Sequence, residues 1–239
     1  MKKLISIIFL LYVAYHLFVI FYAVPFGSNE LASKVGKFYL NHSPKDLNVS
    51  NTVTAVVVNF RGFDTLGEVT VLFLASTALG SILFRRREIH TKLSHLRSSV
   101  ETSEIIRVAG RILFPLIILL GVYVFVHGHL TPGGGFQGGV IIATGFLLLL
   151  LAYRDFTIEH RIITWIESLA GITFVGIGLI GILLEKTFLE NFLGTGKLNE
   201  LLSGGIIPLI YIAIGFKVAA ELTGILDTIL SISVEKTEN

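Results

Sequence analysis

Apolar residues fall in long runs along this chain, separated by short polar stretches. The runs predict about six membrane-crossing helices: Leu4 to Val24, Leu66 to Phe84, and about 108–127, 138–153, 162–184 and 206–227. Roughly 20 consecutive apolar residues match the ~30 Å hydrocarbon core of a bilayer. The first run follows Lys2-Lys3 and starts like a signal peptide. It is longer than an ordinary signal core, and Pro25-Phe26 follows it instead of a small-residue cleavage site, so it is read as a retained helix. In the polar residues 25–52, Leu31, Val35, Phe38 and Tyr39 recur at helical spacing. They predict a short amphipathic surface helix over Ser28–Asn41, with Ser28 as its N-cap.

The second span is preceded by an interruption, Thr52-Val53-Thr54-Ala55-Val56-Val57-Val58-Asn59-Phe60-Arg61-Gly62-Phe63-Asp64-Thr65-Leu66-Gly67-Glu68. An apolar run broken by Asn-Phe-Arg-Gly-Phe-Asp predicts a helix interrupted near 60–65. At membrane depth such a break persists only where protein or a water-filled cavity satisfies the backbone. The expected fold class is an all-α integral membrane protein with both termini cytoplasmic. Twelve lysines and arginines fall in loops and ends on the side of the termini and six on the other, with Lys217 inside a span; the positive-inside rule sets the orientation. Residues 85–107, opening on Arg85-Arg86-Arg87, form the longest basic stretch. They suggest a two-helix module over 1–87, a cytoplasmic linker over 88–107 and a four-helix module over 108–239.

Composition agrees with a membrane location. The chain of 239 residues is 53% hydrophobic and 15% charged, with a mean hydropathy of +0.78, against about 25% charged for a soluble domain. Cysteine is absent, which excludes disulfides, thiolate metal sites and a cysteine nucleophile. The net charge is +2, and most of the basic residues sit in loops of one side, so they are not read as a nucleic-acid patch. The glycines fit neither a dinucleotide fingerprint nor a phosphate loop, no nucleophile–base arrangement is visible, and no cofactor is expected in this chain.

Several features could carry chemistry or close packing. The densest is His127-Gly128-His129-Leu130-Thr131-Pro132-Gly133-Gly134-Gly135-Phe136-Gln137-Gly138-Gly139. Proline and glycine end helices, so one reading is a tight outer hairpin followed by a glycine packing face at Gly138, Gly139 and Gly145. The other is a loop dipping into a cavity, with a helix N-terminus facing an ion. His127 and His129 lack the further ligands of a metal site. Lys217 sits mid-span, where a lysine costs about 2.5–3.5 kcal/mol, and Glu221 lies one turn on. They form either a buried pair that fixes helix register or a proton or cation relay. Asp64 and Glu68, with Arg61, either line a hydrophilic path or belong to helix capping, since Thr65-x-x-Glu68 matches a capping box. His16 lies mid-span in the first helix. It reads as a hydrogen-bond partner to another helix or as a proton carrier. Glu167 beside Trp165, and Asp227, read as solvated span ends. Thr173 with Gly171, Gly176, Gly178 and Gly181 marks a closely packed span.

Two of these stretches resemble a known family. From about 105 to 230 the chain resembles the MnhB-like subunit of the multisubunit Mrp-type sodium/proton antiporters. His129 to Gly139, including Thr131, Pro132, Gly133, Gly134, Gly135 and Phe136, matches that family's signature, as do Ser203-Gly204-Gly205 and Gly215-Phe216-Lys217-Val218. Thr54 to Glu68 resembles the C-terminal part of the large subunit of the same antiporters, or its small counterpart in archaeal membrane-bound hydrogenases. The fused arrangement resembles that of archaeal respiratory complexes carrying an Mrp-like module, the membrane-bound hydrogenase or the sulfane sulfur reductase. The resemblance implies a non-catalytic, multi-pass subunit in the cell membrane, with other membrane subunits, the lipid bilayer and peripheral redox subunits as partners. It makes Asp64, Glu68, Lys217 and Glu221 ion-path candidates, to which His16 is added for its mid-span place. A scaffold role in a free-standing antiporter is the alternative.

Overall fold

A computed structural model describes residues 2–23, 29–90, 102–153, 156, 158–184 and 186–236. The proposed Ser28 cap and residues 91–101 of the linker lie outside the described residues. The chain divides into two compact units, up to Leu40 and from Asn41 onward.

The first unit holds α1, Lys2–Ala23, and most of α2, Asn29–Asp46. α1 is apolar on every face, as a span in lipid is. His16 lies within it between the rings of Tyr12 and Tyr15, with centroids 4.4 and 5.6 Å away. α2 is longer than its apolar spacing predicts and runs through Pro44 into the second unit.

The second unit is a helical bundle. A short α3, Thr52–Ala55, passes into a π-helical turn, Val56–Phe60, and then into α4, Gly62–His90. α5 is Glu104–Val126, α6 Gly135–Ala152, α7 His160–Leu183 and α8 Ile207–Lys236. Among the described residues, five helices are long and apolar enough to cross a membrane: Gly62–Ile82, Glu104–Val126, Gly135–Ala152, His160–Leu183 and Ile207–Leu230. The described apolar stretch of α1, Ser6–Tyr22, is shorter. No strand occurs among the described residues.

The centre is α8. Ile207, Ile210, Tyr211, Ala213, Ile214, Val218, Ala219 and Ala220 are all buried, and α4, α5, α6 and α7 pack around it. A mostly apolar helix is stable at such a position, with Lys217 and Glu221 as its buried charged exceptions. α6 reaches its neighbours through glycine. A Cβ on Gly138 would lie 2.6 Å from the Gly121 carbonyl oxygen of α5, and one on Gly139 would lie 2.8 Å from the Gly215 carbonyl oxygen of α8. The backbones therefore touch, which is how helices associate in lipid where no hydrophobic force draws them together.

The interruption falls at Arg61, between the π-turn and α4. Its backbone is satisfied by protein: the Thr65 hydroxyl donates to the Val57 carbonyl at 2.6 Å. This overturns the capping-box reading. α4 starts at Gly62, so Thr65 is already inside the helix, and its oxygen serves the π-turn rather than an amide of the first turn. Gly62 lies under Leu189, whose Cδ1 would be 2.7 Å from a Cβ there.

Candidate functional site

Two polar assemblies lie in the second unit. The first is at the end where α5 stops and α6 starts. Asn51 caps α3, its Oδ1 accepting from the amides of Val53 and Thr54 at 3.1 and 3.4 Å. The same side chain turns its Nδ2 to the glycine-rich loop, donating to the carbonyls of Gly128 at 2.8 Å and Thr131 at 3.0 Å. The Asn51 amide donates to the His129 carbonyl at 3.1 Å. Thr54 adds a bond from Oγ1 to the Gly128 carbonyl at 2.6 Å and accepts one from the Tyr211 hydroxyl at 3.1 Å. The start of the interrupted helix, the glycine-rich loop and the head of α8 are thus one hydrogen-bonded unit. Asn48 and Ser50 extend it to the 195–199 loop through Thr195, Gly196 and Asn199.

Within the loop, Thr131 bonds back to the His127 carbonyl through both its amide and its hydroxyl. Pro132 is exposed, Gly133 lies against the Val124 carbonyl, and Gly134 precedes α6. Gly135 lies against Ile214 and the Tyr211 carbonyl, and Phe136 packs on the core around α8. Close packing is therefore what these glycines provide. His129 is fully buried, and neither ring nitrogen has a hydrogen bond of good geometry. Burial lowers its pKa, against which the nearby backbone of Glu200 and Leu201 acts in part; His127 lowers it further. Among the described residues no group of three metal-ligating side chains occurs.

The second assembly is in the middle of the bundle. Lys217 lies ten residues into α8, about 15 Å along its axis. Its Nζ donates to Glu221 Oε1 at 2.6 Å and lies 3.6 Å from Glu167 Oε1 of α7. The ammonium also sits over the Phe73 ring of α4, 5.2 Å from its centroid, a favourable cation–π arrangement. Gly171 of α7 leaves room for the lysine stem. Lys217 is 7% exposed and Glu221 1%. Glu221 Oε2 is buried with no hydrogen-bond partner. Residues of three helices thus converge around one cation and two carboxylates.

The sequence places Glu167 at a solvated span end; the structure corrects this, because its helix turns it toward Lys217. Asp227 is likewise not simply solvated, since its Oδ2 is 3.4 Å from His160 Nε2 of α7. Asp64 pairs with Arg61, and both are exposed. Glu68 is exposed on α4, five residues before Phe73. The structure joins Lys217 and Glu221 and adds Glu167, while Asp64 and Glu68 face outward from the chain. The sequence signal that marks Glu167 is its acidic side chain inside an otherwise apolar helix.

The chain matches the family described as a domain related to the MnhB subunit of Na+/H+ antiporter over residues 105–224, and the MbhE family, a subunit family of MBH, over residues 3–97. It is 30% identical over 215 residues to an uncharacterized protein of Methanocaldococcus jannaschii, covering 81% of this chain and 80% of that one. Among solved structures it is similar to a chain of the membrane-bound sulfane sulfur reductase, an archaeal respiratory membrane complex, with a TM-score of 0.79 and 44% identity over 96% of this chain and 98% of that one. It is also similar to a chain of the Mrp complex from Dietzia sp. DQ12-45-1b, with a TM-score of 0.73 and 26% identity, covering 95% of this chain and 26% of that one.

Proposed function

Because the chain belongs to the family of domains related to the MnhB subunit of Na+/H+ antiporters, we propose that it serves a sodium/proton-translocating module inside a larger respiratory complex of the sulfane-reductase kind, and that the redox chemistry is done by other subunits. It is a multi-pass membrane protein homologous to antiporter subunits and to a membrane subunit of a respiratory complex, so other membrane subunits are its partners.

One observation carries the translocation reading: a lysine and two carboxylates meet within two helices long and apolar enough to cross a membrane, one carboxylate oxygen having no partner. Ionisable groups are costly in a bilayer. A pair that only fixed helix register would need two opposite charges, and here a third is present. We put both termini in the cytoplasm, on the excess of basic residues on their side. In that orientation the Asn51–Gly128 assembly lies on the outer face.

The test is purification of the tagged chain from native membranes in mild detergent, with identification of the co-purifying proteins, followed by ion exchange in vesicles. Recovery with iron–sulfur subunits and coupled sodium/proton exchange is the expected result. Recovery with antiporter subunits alone would favour a free-standing antiporter. A lone chain that exchanges ions by itself would refute the subunit reading.

A further inference from the structure

We propose that Glu167, Lys217 and Glu221 form a proton relay that holds one proton, and that sodium is coordinated elsewhere. This rests on the translocation reading above and specifies its ion at this site.

The charge count comes first. Two carboxylates and one ammonium leave one surplus negative charge inside the span. An uncompensated charge in a low-dielectric interior is strongly unfavourable, so the set binds one further monovalent cation. The geometry selects a proton over sodium. A metal cation that sheds its water needs several oxygens in exchange. Glu221 Oε1 is occupied by Lys217 Nζ at 2.6 Å. Oε2 has neither a partner nor exposed surface. Phe73 covers the ammonium from α4. α6 contributes no ionisable residue along its whole length, and the next carboxylate along α8, Asp227, is turned to His160. A sodium ion here would meet too few oxygens beside a resident ammonium. A proton needs only one lone pair.

The arrangement also supplies a path for that proton between the two carboxylates. Glu167 is about a fifth exposed, with its side chain at 20%, whereas Glu221 is closed off at 0%. Lys217 Nζ reaches both, 3.6 Å from Glu167 and 2.6 Å from Glu221. The cycle begins with Glu167 as the acid, Lys217 as the ammonium and Glu221 as the carboxylate. Lys217 gives a proton to Glu221, leaving a neutral amine and a neutral acid. The amine then takes the proton of Glu167, which becomes the carboxylate. One proton has passed from Glu167 to Glu221, Lys217 is restored, and the net charge is zero at every stage. Glu167 is thus the gate toward the neighbouring surface and Glu221 the closed end.

The experiment uses the whole complex in sealed vesicles, with proton movement followed by an entrapped pH dye and sodium movement by radioactive sodium counterflow. Glu167→Gln and Glu221→Gln are expected to slow proton movement at least about tenfold, while sodium counterflow persists. The infrared carbonyl band of a buried protonated carboxyl, present in the wild-type complex, should be diminished in each variant. Lost counterflow with intact proton movement would overturn the proposal in favour of a sodium site. Intact transport of both ions in assembled variants would overturn it in favour of a structural role. Should Glu221→Gln fail to assemble, Glu167→Gln and the wild-type infrared band still decide, and absence of that band overturns the proposal. A wild-type complex that moves no ions would sink the translocation reading instead, with the infrared band still reporting whether the set holds a proton.

Discussion

Replacing Asn51 separates its two roles. The side chain caps α3 through Oδ1 and clamps the glycine-rich loop through Nδ2. Only this orientation of the amide puts donors on the Gly128 and Thr131 carbonyls and the acceptor on the Val53 and Thr54 amides. Asn51→Ala loses both functions: about 1 kcal/mol for the cap and about 1 kcal/mol for each of two hydrogen bonds, roughly 3 kcal/mol together. Asn51→Asp keeps the cap, and by helix-capping preference alone it should be harmless. It also brings a carboxylate oxygen to the position of Nδ2, 2.8 Å from one carbonyl oxygen and 3.0 Å from another. Two donors are lost, and repulsion between acceptors is added. Thermal denaturation of the purified chain in detergent, followed by size-exclusion of the surviving fraction, should show a midpoint lowered by on the order of 10 °C in Asn51→Ala. Asn51→Asp should fall at least as far. An Asp variant as stable as the wild type, with Ala destabilised, would show that the cap matters and the loop clamp does not.

Lys217→Met strands a buried carboxylate and should destabilise the chain by about 3–5 kcal/mol; Lys217→Met/Glu221→Gln should recover much of that in the same denaturation assay. Gly138→Ala puts a methyl against the Gly121 carbonyl oxygen and should cost on the order of 1–3 kcal/mol. Gly67→Ala, with nothing within 4 Å of its Cβ position, should be neutral or slightly stabilising. Burial holds His129 below its ordinary value of 6.5, so below that pH the unfolded chain takes up the proton more readily than the folded one. Its contribution is complete above pH 6.5 and is lost as pH falls from there through the folded value, by at most about 1.4 kcal/mol per pH unit. His129→Gln should flatten that part of a pH–stability profile.

The spans are legible in the sequence because an apolar run of the right length has few other fates. The Lys217–Glu221 pair is legible because residues four apart share a helix face. The break near 60–65 shows as a run of polar and glycine residues, but its form does not. A π-turn shifts the register by one residue, so a local motif such as Thr65-x-x-Glu68 points to a helix start that lies elsewhere. Glu167 is hidden for a different reason. Its distance along α7 suggests a span end, whereas the pairing that matters is between helices, and how two helices lie against each other is not written in either alone. Asn51 stands directly before an apolar run, a recognised N-cap signal; its second task, on a loop some 77 residues away, leaves no local trace.

That distance has a consequence for how the protein is made. The carbonyl of Gly128 that Asn51 and Thr54 grip is synthesised only after α4 and α5, and Tyr211, which locks Thr54, comes after α6 and α7 as well. Until then, the Asn51 amide and Nδ2 and the Thr54 hydroxyl lack these acceptors, while the Val53 and Thr54 amides are already capped by Asn51 Oδ1. The hydrogen-bonded set at 51–54 is therefore complete only once the chain has been made as far as α8.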